Sequence, residues 1–478
     1  MKFPRISLLP PLLPALLPAL LPVAIAVLLG LLSSQQVVAQ PLPPLVEAAS
    51  QGDWQAMQQL LNREMDANQS YGDGSTALHW AAHLDNQAAV QQLIAAGADV
   101  NAATDLGVTP LWLAAENANA TITELLLVAG ADPSIALLSG ETPLMMASLS
   151  GSGAVARQLL AAGANPDVAV TRQQTALMWA AGRGHHDVVQ ALLDHGANVD
   201  ARTEVRSEYV KTEKEQDSHP AYKIWIEEGG YNALMFAAAA GELQSARALL
   251  AAGSDPNGLS AYGLTPAILA AHGGNTGLLE LLLDAGAATG LAPAGQSPLH
   301  VAVLRGNREA VELLLQHGAD PDAVLQKPTP TRRQSADYHF HDSLVGATPL
   351  WLAARFKEPD IMAVLLQAGA DPRAVNAMVY PAQRRGDNYI ADEGEISILM
   401  AAVGMGNRRL RLSWGTPERR GGQVGRDQQA LTLEAVQLAV QAGVDINRRD
   451  ANGQSALDFA RDRDYGTVVT FLELMGAD

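Results

Sequence analysis

The 478-residue chain is 48% hydrophobic, 17% charged and 5% aromatic, lacks cysteine, and sets 32 basic against 50 acidic side chains for a net charge of −18. So apolar and lightly charged a composition excludes a disordered chain, and the missing Cys excludes disulfides, iron–sulfur clusters, Cys-based zinc sites and a cysteine nucleophile. The acidic excess argues against nucleic acid as partner, because a phosphate backbone demands a basic footprint, and suits a soluble protein kept apart from its neighbours by charge.

Residues 1–39 read as a signal peptide. Lys2 and Arg5 precede an uncharged apolar run from Leu8 to Leu32, and Val37-Val38-Ala39 places small residues at a cleavage position before Gln40. Cleavage removes two basic side chains and takes the charge from −18 to −20. The run is long, with Pro10, Pro14, Pro18 and Pro22 at every fourth residue, so an uncleaved membrane anchor is the alternative. Either way the rest of the chain is expected outside the plasma membrane, periplasmic or secreted.

From Pro41 to Asp478 the chain is expected to be one repeat array. Thr76-Ala77-Leu78, Thr109-Pro110-Leu111, Thr142-Pro143-Leu144 and Thr175-Ala176-Leu177 step by 33 residues, and so do the glycines of Gly97-Ala98-Asp99, Gly130-Ala131-Asp132, Gly163-Ala164-Asn165 and Gly196-Ala197-Asn198. Within a unit, Thr or Ser caps a first helix with Pro at its first position. Alanine pairs such as Ala114-Ala115 keep that helix thin. Gly52, Gly151, Gly184, Gly241, Gly274, Gly306 and Gly406 allow a tight turn, leucine pairs stripe a second helix, and the Gly of Gly-Ala-Asp/Asn ends it in a left-handed backbone.

Ser297-Pro298-Leu299-His300-Val301-Ala302, Gly306-Asn307 and Leu313-Leu314-Leu315-Gln316-His317-Gly318-Ala319-Asp320 resemble the ankyrin repeat, here of an exported bacterial type. The resemblance implies an all-α repeat solenoid of helix pairs with hairpin fingers. The Thr-equivalent positions Pro43, Thr76, Thr109, Thr142, Thr175, Asn232, Thr265, Ser297, Thr348, Ser397 and Ser455 give eleven pairs. The motif His is kept at His79 and His300 and replaced elsewhere, by Trp112 and Trp351 among others and by Asp458 in a polar last unit suited to capping the array.

Four insertions interrupt the period, near residues 201–229, 323–345, 374–394 and 408–430. The first three enlarge fingers by 24, 18 and 16 residues, and the fourth adds 25 between the two helices of the tenth unit. Loops this long inside a compact architecture are functional or disordered. The first carries Tyr222 and Trp225, aromatics that suit the concave face or a partner as well as a neighbouring finger. The second carries Tyr338, and the fourth carries Arg409 and Trp414 within a local charge of +5. That basic loop fits an acidic protein patch, anionic lipid headgroups, or the chain's own carboxylates.

The resemblance also implies a concave groove lined by the residues seven and eight places after each Thr position, including Arg183, Arg305, Arg355, Phe356 and Arg463. Arginines enter this series from the fifth unit onward. Catalytic motifs are lacking. Asp337, His339, His341 and Asp342 have metal-ligand character, but no fourth ligand set completes them, so no metal or cofactor is assigned. The expected function is that of a non-enzymatic scaffold, a monomer offering its groove and long fingers to a protein partner of acidic character. The alternatives are an accessory factor or enzyme with a site under the fingers, and a membrane-tethered periplasmic adaptor.

Overall fold

A computed structural model describes residues 42–211, 223–327, 329, 344–377, 395–405 and 427–478. The N-terminal segment 1–39, the cluster at 337–342, and Tyr222, Tyr338, Arg409 and Trp414 lie outside these residues. The described chain forms an all-α repeat solenoid of short helix pairs. It divides into two units, one built of residues 42–204 with 231–254 and the other of 205–230 with the described residues from 255 onward. In each unit first helices stack on first helices and second helices on second.

The first helices start where a short polar side chain takes up a free N–H. Thr109 Oγ1 accepts from Trp112 N at 3.1 Å with Pro110 at the first helical position, and Thr175, Thr265, Thr348, Ser397 and Asn232 cap in the same way. Second helices begin on Asn86, Asn119, Ser152 or Asn307 by the same device. They end at glycines such as Gly97 (φ 81°) and Gly318 (φ 81°), whose surroundings leave a Cβ free space, so the backbone conformation alone demands glycine there. Between the helix layers Ala81, Ala82, Ala114, Ala115, Ala180 and Ala181 are fully buried beside Leu78, Leu126 and Leu159. Each such leucine contributes about 1.5–3 kcal/mol, and the alanines let adjacent units approach closely.

Two kinds of bond knit one repeat to the next. Asn68 donates to Gly97 O at 3.1 Å and accepts from Asp99 N at 2.6 Å. Asn101 repeats this with Gly130 and Asp132, Asn257 with Gly286 and Ala288, and Asn447 with Gly476 and Asp478. The second bond runs from His79 Nε2 to Val108 O at 3.0 Å, while its Nδ1 accepts from Thr76 N at 3.1 Å.

The insertions leave this register intact. Asp371 N donates to Asp322 Oδ1 across 49 residues where the unexpanded fingers bridge 31, the difference being the 18 extra residues of that finger. Trp351, in the place of the motif His, donates from Nε1 to Ile396 O at 2.8 Å across 45 residues where His79 spans 29, the difference being the 16 residues of the next finger. The indole does the imidazole's work.

Two details depart from expectation. In the tenth unit it is Gly404 (φ 93°), not Gly406, that closes the first helix, which is shortened to Ile398–Val403. Part of the extra sequence there lengthens the second helix, Gln428–Gln441, to 14 residues where its neighbours have nine. Beyond the helices, the enlarged fingers carry antiparallel ladders. Arg206–Lys211 pairs with Lys223–Glu228, and Val375–Ala377 pairs with Glu395–Ser397.

Candidate protein-binding groove

In the unit holding residues 42–204, the groove residues Asn117 and Ser150 are engaged with the preceding repeat, as is His185 just past the groove positions. Each first helix leaves carbonyls unsatisfied at its C-terminal end. Asn117 Nδ2 donates to Ala82 O at 3.1 Å and His83 O at 2.8 Å, Ser150 Oγ donates to Ala115 O at 2.9 Å, and His185 Nε2 lies 3.2 Å from Leu149 O. His83 stands edge-on to Trp80 with ring centroids 6.0 Å apart. Arg183, at the end of helix Ala176–Arg183, is exposed.

In the other unit the same positions present cations. Arg305 is half-buried, with its guanidinium over the left-handed Gly274. Arg355 and Phe356 form the last turn of helix Pro349–Phe356, and Phe356 is buried, so of this predicted pair only the arginine offers a polar group to the groove. Lys357 follows at φ 59°, a left-handed conformation that Gly274 and Gly306 supply in the preceding units. Its ammonium stands 5.2 Å from the centroid of Tyr465. Burial, with Arg355 and Arg463 nearby, pushes the Lys357 amine down to about 8. Arg463 lies over the ring of Phe459 at 4.5 Å.

Trp225 is 69% exposed and faces Tyr209 across the hairpin, with ring centroids 5.0 Å apart. Behind it, Arg206 pairs with the buried Glu228 at 3.2 Å. The hairpin base is thus fixed by a buried carboxylate while its aromatic pair is left toward solvent.

Two family models match. Three copies of the ankyrin repeats model cover residues 45–136, 111–203 and 234–324, the first two overlapping, and a single ankyrin repeat covers 345–377. These spans take in more than half of the chain. The chain belongs to the ankyrin repeat family. No curated protein matches it as a relative.

Among the ankyrin repeats, the described predicted residues fall in two places. Arg183, Arg305, Arg355 and Phe356 sit at the seventh or eighth places of their repeats, whereas Trp225 stands on the hairpin. Sequence reasoning missed Lys357, which falls one place beyond the groove positions. Its signal was a non-glycine residue where other repeats carry the turn glycine. Among the described residues no group of three or more acidic or histidine side chains could hold a metal ion, and no helix is long and apolar enough to cross a membrane. Ankyrin repeats mediate protein–protein interaction.

Proposed function

We propose that the chain is an exported, non-enzymatic interaction scaffold that takes an acidic protein partner on the groove of its later repeats, with the hairpin aromatics as a second contact. The observation that carries this reading is the change in what the groove positions do. In the earlier repeats Asn117 and Ser150 cap neighbouring carbonyls, and in the later ones Arg305 and Arg463 occupy the equivalent positions, with Arg355 one place earlier in its repeat. Charged groove residues steer and select partners, and exposed aromatic pairs supply the apolar anchor. Export rests on the order of basic, apolar and small residues in 1–39.

The test is affinity capture from the periplasmic or secreted fraction with the wild-type chain, an Arg305→Ala/Arg355→Ala variant and a Trp225→Ala variant. The reading expects partners that both variants lose or weaken. Identical recovery with all three proteins would remove the groove and the hairpin as contact surfaces. N-terminal sequencing of the exported protein should start at Gln40, and an intact Met1 would overturn cleavage.

A further inference from the structure

An asparagine followed by glycine exposes its side-chain amide to attack from the main chain, because glycine has no side chain to shield its nitrogen. The chain holds two such pairs, Asn257-Gly258 and Asn452-Gly453, and the fold treats them oppositely. Asn257 belongs to the ladder between fingers: its Nδ2 donates to Gly286 O at 3.0 Å and its Oδ1 accepts from Ala288 N at 2.7 Å. Both ends of that amide are held. Asn452 lies at the tip of the last finger, where Ala451, Asn452 and Gly453 are all exposed. That loop is held through Asp450 instead, whose Oδ1 accepts from the N–H groups of Asn452 and Gln454 at 2.9 Å and whose carbonyl accepts from Gly453 N at 2.9 Å. Among the described residues the side-chain amide of Asn452 makes no hydrogen bond. A methyl group placed on Gly453 would meet no atom within 4 Å, so this stretch of backbone is open to approach.

We propose that Asn452 is a site of spontaneous deamidation in the folded chain, and that the finger ladder protects Asn257 from the same reaction. The Gly453 nitrogen, its proton passed to water, attacks Asn452 Cγ. The N–Cγ bond forms, the Cγ–Nδ2 bond breaks, and ammonia leaves after taking a proton back from water. Water then opens the cyclic imide at either carbonyl and leaves aspartate or isoaspartate, with no change in oxidation state. The attack requires Gly453 N–H to leave Asp450 O, one exposed bond whose opening is local. At Asn257 the two side-chain bonds must open as well, and these join neighbouring repeats, so cohesion between units opposes the reaction. The product places a negative charge beside Asp450, and isoaspartate adds a main-chain carbon, in the loop that Arg449 ties by donating to Gly453 O at 2.9 Å. Helix Ala456–Asp462 follows this loop directly, so conversion loosens the last repeat.

The experiment incubates the full wild-type chain in mildly alkaline buffer, folded and in urea, and follows both asparagines by peptide mass spectrometry, with Asn452→Ser alongside. Cleavage after Arg449 and Arg461 isolates Asn452 as the sole asparagine of its peptide. In the folded chain Asn452 should gain one dalton at least about tenfold faster than Asn257, the factor that opening two further hydrogen bonds imposes. In urea the two rates should converge, and Asn452→Ser should show no gain in that peptide. Conversion of Asn257 as fast as Asn452 in the folded chain, or an unconverted Asn452, overturns the proposal. A rate difference that persists in urea overturns protection by the ladder, because flanking sequence would then be its cause. Hydrogen exchange should be faster in Ala456–Asp462 of the converted chain than of the fresh one, and unchanged in Ala77–His83. Equal exchange in both helices before and after conversion overturns the loosening of the last repeat.

Discussion

The repeats of residues 42–204 and those of 344–478 use one register position for opposite ends. In the former, Asn117 and Ser150 turn back onto carbonyls of the repeat before them. In the latter, Arg463 occupies the equivalent place and Arg355 the place before it in its own repeat, with Arg463 and Lys357 set against aromatic rings. A repeat protein needs cohesion between every pair of neighbours. Where helix-end carbonyls are capped by groove side chains, those side chains are not available to a ligand. Substitutions in the first region should therefore register as stability, and in the second as binding.

The largest stability difference is expected at the motif-His position, which is Trp in both regions. Trp351 is fully buried and its Nε1 donates to Ile396 O, whereas the buried Trp112 Nε1 lacks a hydrogen-bond partner. Trp351→Ala should lower local stability by about 4 kcal/mol through the cavity. The discriminating pair is the Phe variants. Trp351→Phe removes the indole's bond to the Ile396 carbonyl and should cost about 1–2 kcal/mol beyond the area lost, and Trp112→Phe, which removes an unpaired N–H, should cost less than about 1 kcal/mol. Native-state hydrogen exchange at amides of each repeat reads these values. Equal effects at the two sites would show that the indole hydrogen bond is not what separates them.

Acidification probes the histidines that remain. His300 is buried and its imidazole is pushed down to about 4, while the backbone of Ala323 and Ala347 and the charge of Asp320 act in the opposite direction. His79 is shifted the same way by burial, opposed first by its bond to Val108. Because the folded value lies below the unfolded value near 6.5, the unfolded chain takes up the proton first. The stabilisation is complete above about pH 6.5 and disappears as pH falls toward 4, amounting to about 3 kcal/mol at His300. Exchange protection between pH 7 and 4.5 should fall more around Ser297–Arg305 than around Thr76–His83. A larger loss around His79 would contradict the deeper burial assigned to His300.

The sequence carried the period, the caps and the glycine-ended second helices because each is a short-range requirement, a hydroxyl three residues before an N–H or a left-handed turn that glycine adopts without strain. It also fixed which repeat positions the arginines take, since register is arithmetic once the period is known. The Asn and Asp ladder across fingers was present as a polar residue two places after each Gly-Ala-Asp/Asn aspartate or asparagine. Its partners lie 29 and 31 residues away, so only stacking reveals them. Asp458 looked like a break in the motif, yet it accepts from Ser455 N and Oγ at 2.9 Å, and those bonds with Arg449 and Arg461 hold its carboxyl below the usual range. It caps the helix as the motif His does. Gly404 was misplaced by two residues because the shortened helix follows from packing, not from spacing.

Among groove residues the contrast sharpens at Asn117. Asn117→Ala removes two donations to carbonyls of helix Ala77–His83 and should lower the protection of that helix by about 1–2 kcal/mol. Partner capture by this variant should match that of wild type. An unstable Arg463→Gln, or an Asn117→Ala that weakens partner capture, would break the division of labour between the two regions.

The smallest effect tests the turn itself. Ala118 (φ 57°) and Lys357 (φ 59°) hold the left-handed position that glycine fills elsewhere. For Ala118→Gly, relief of about 1–2 kcal/mol of steric cost is partly offset by about 0.5–1 kcal/mol of added unfolded-state freedom, leaving a net gain of roughly 0.5 kcal/mol. Lys357→Gly gains the same backbone term and sheds repulsion from Arg355 and Arg463, but loses the contacts of its aliphatic stem, so its stability should change little. The two variants should be close in hydrogen exchange and far apart in partner capture. Only a side chain retained for its charge separates the two measurements in this way.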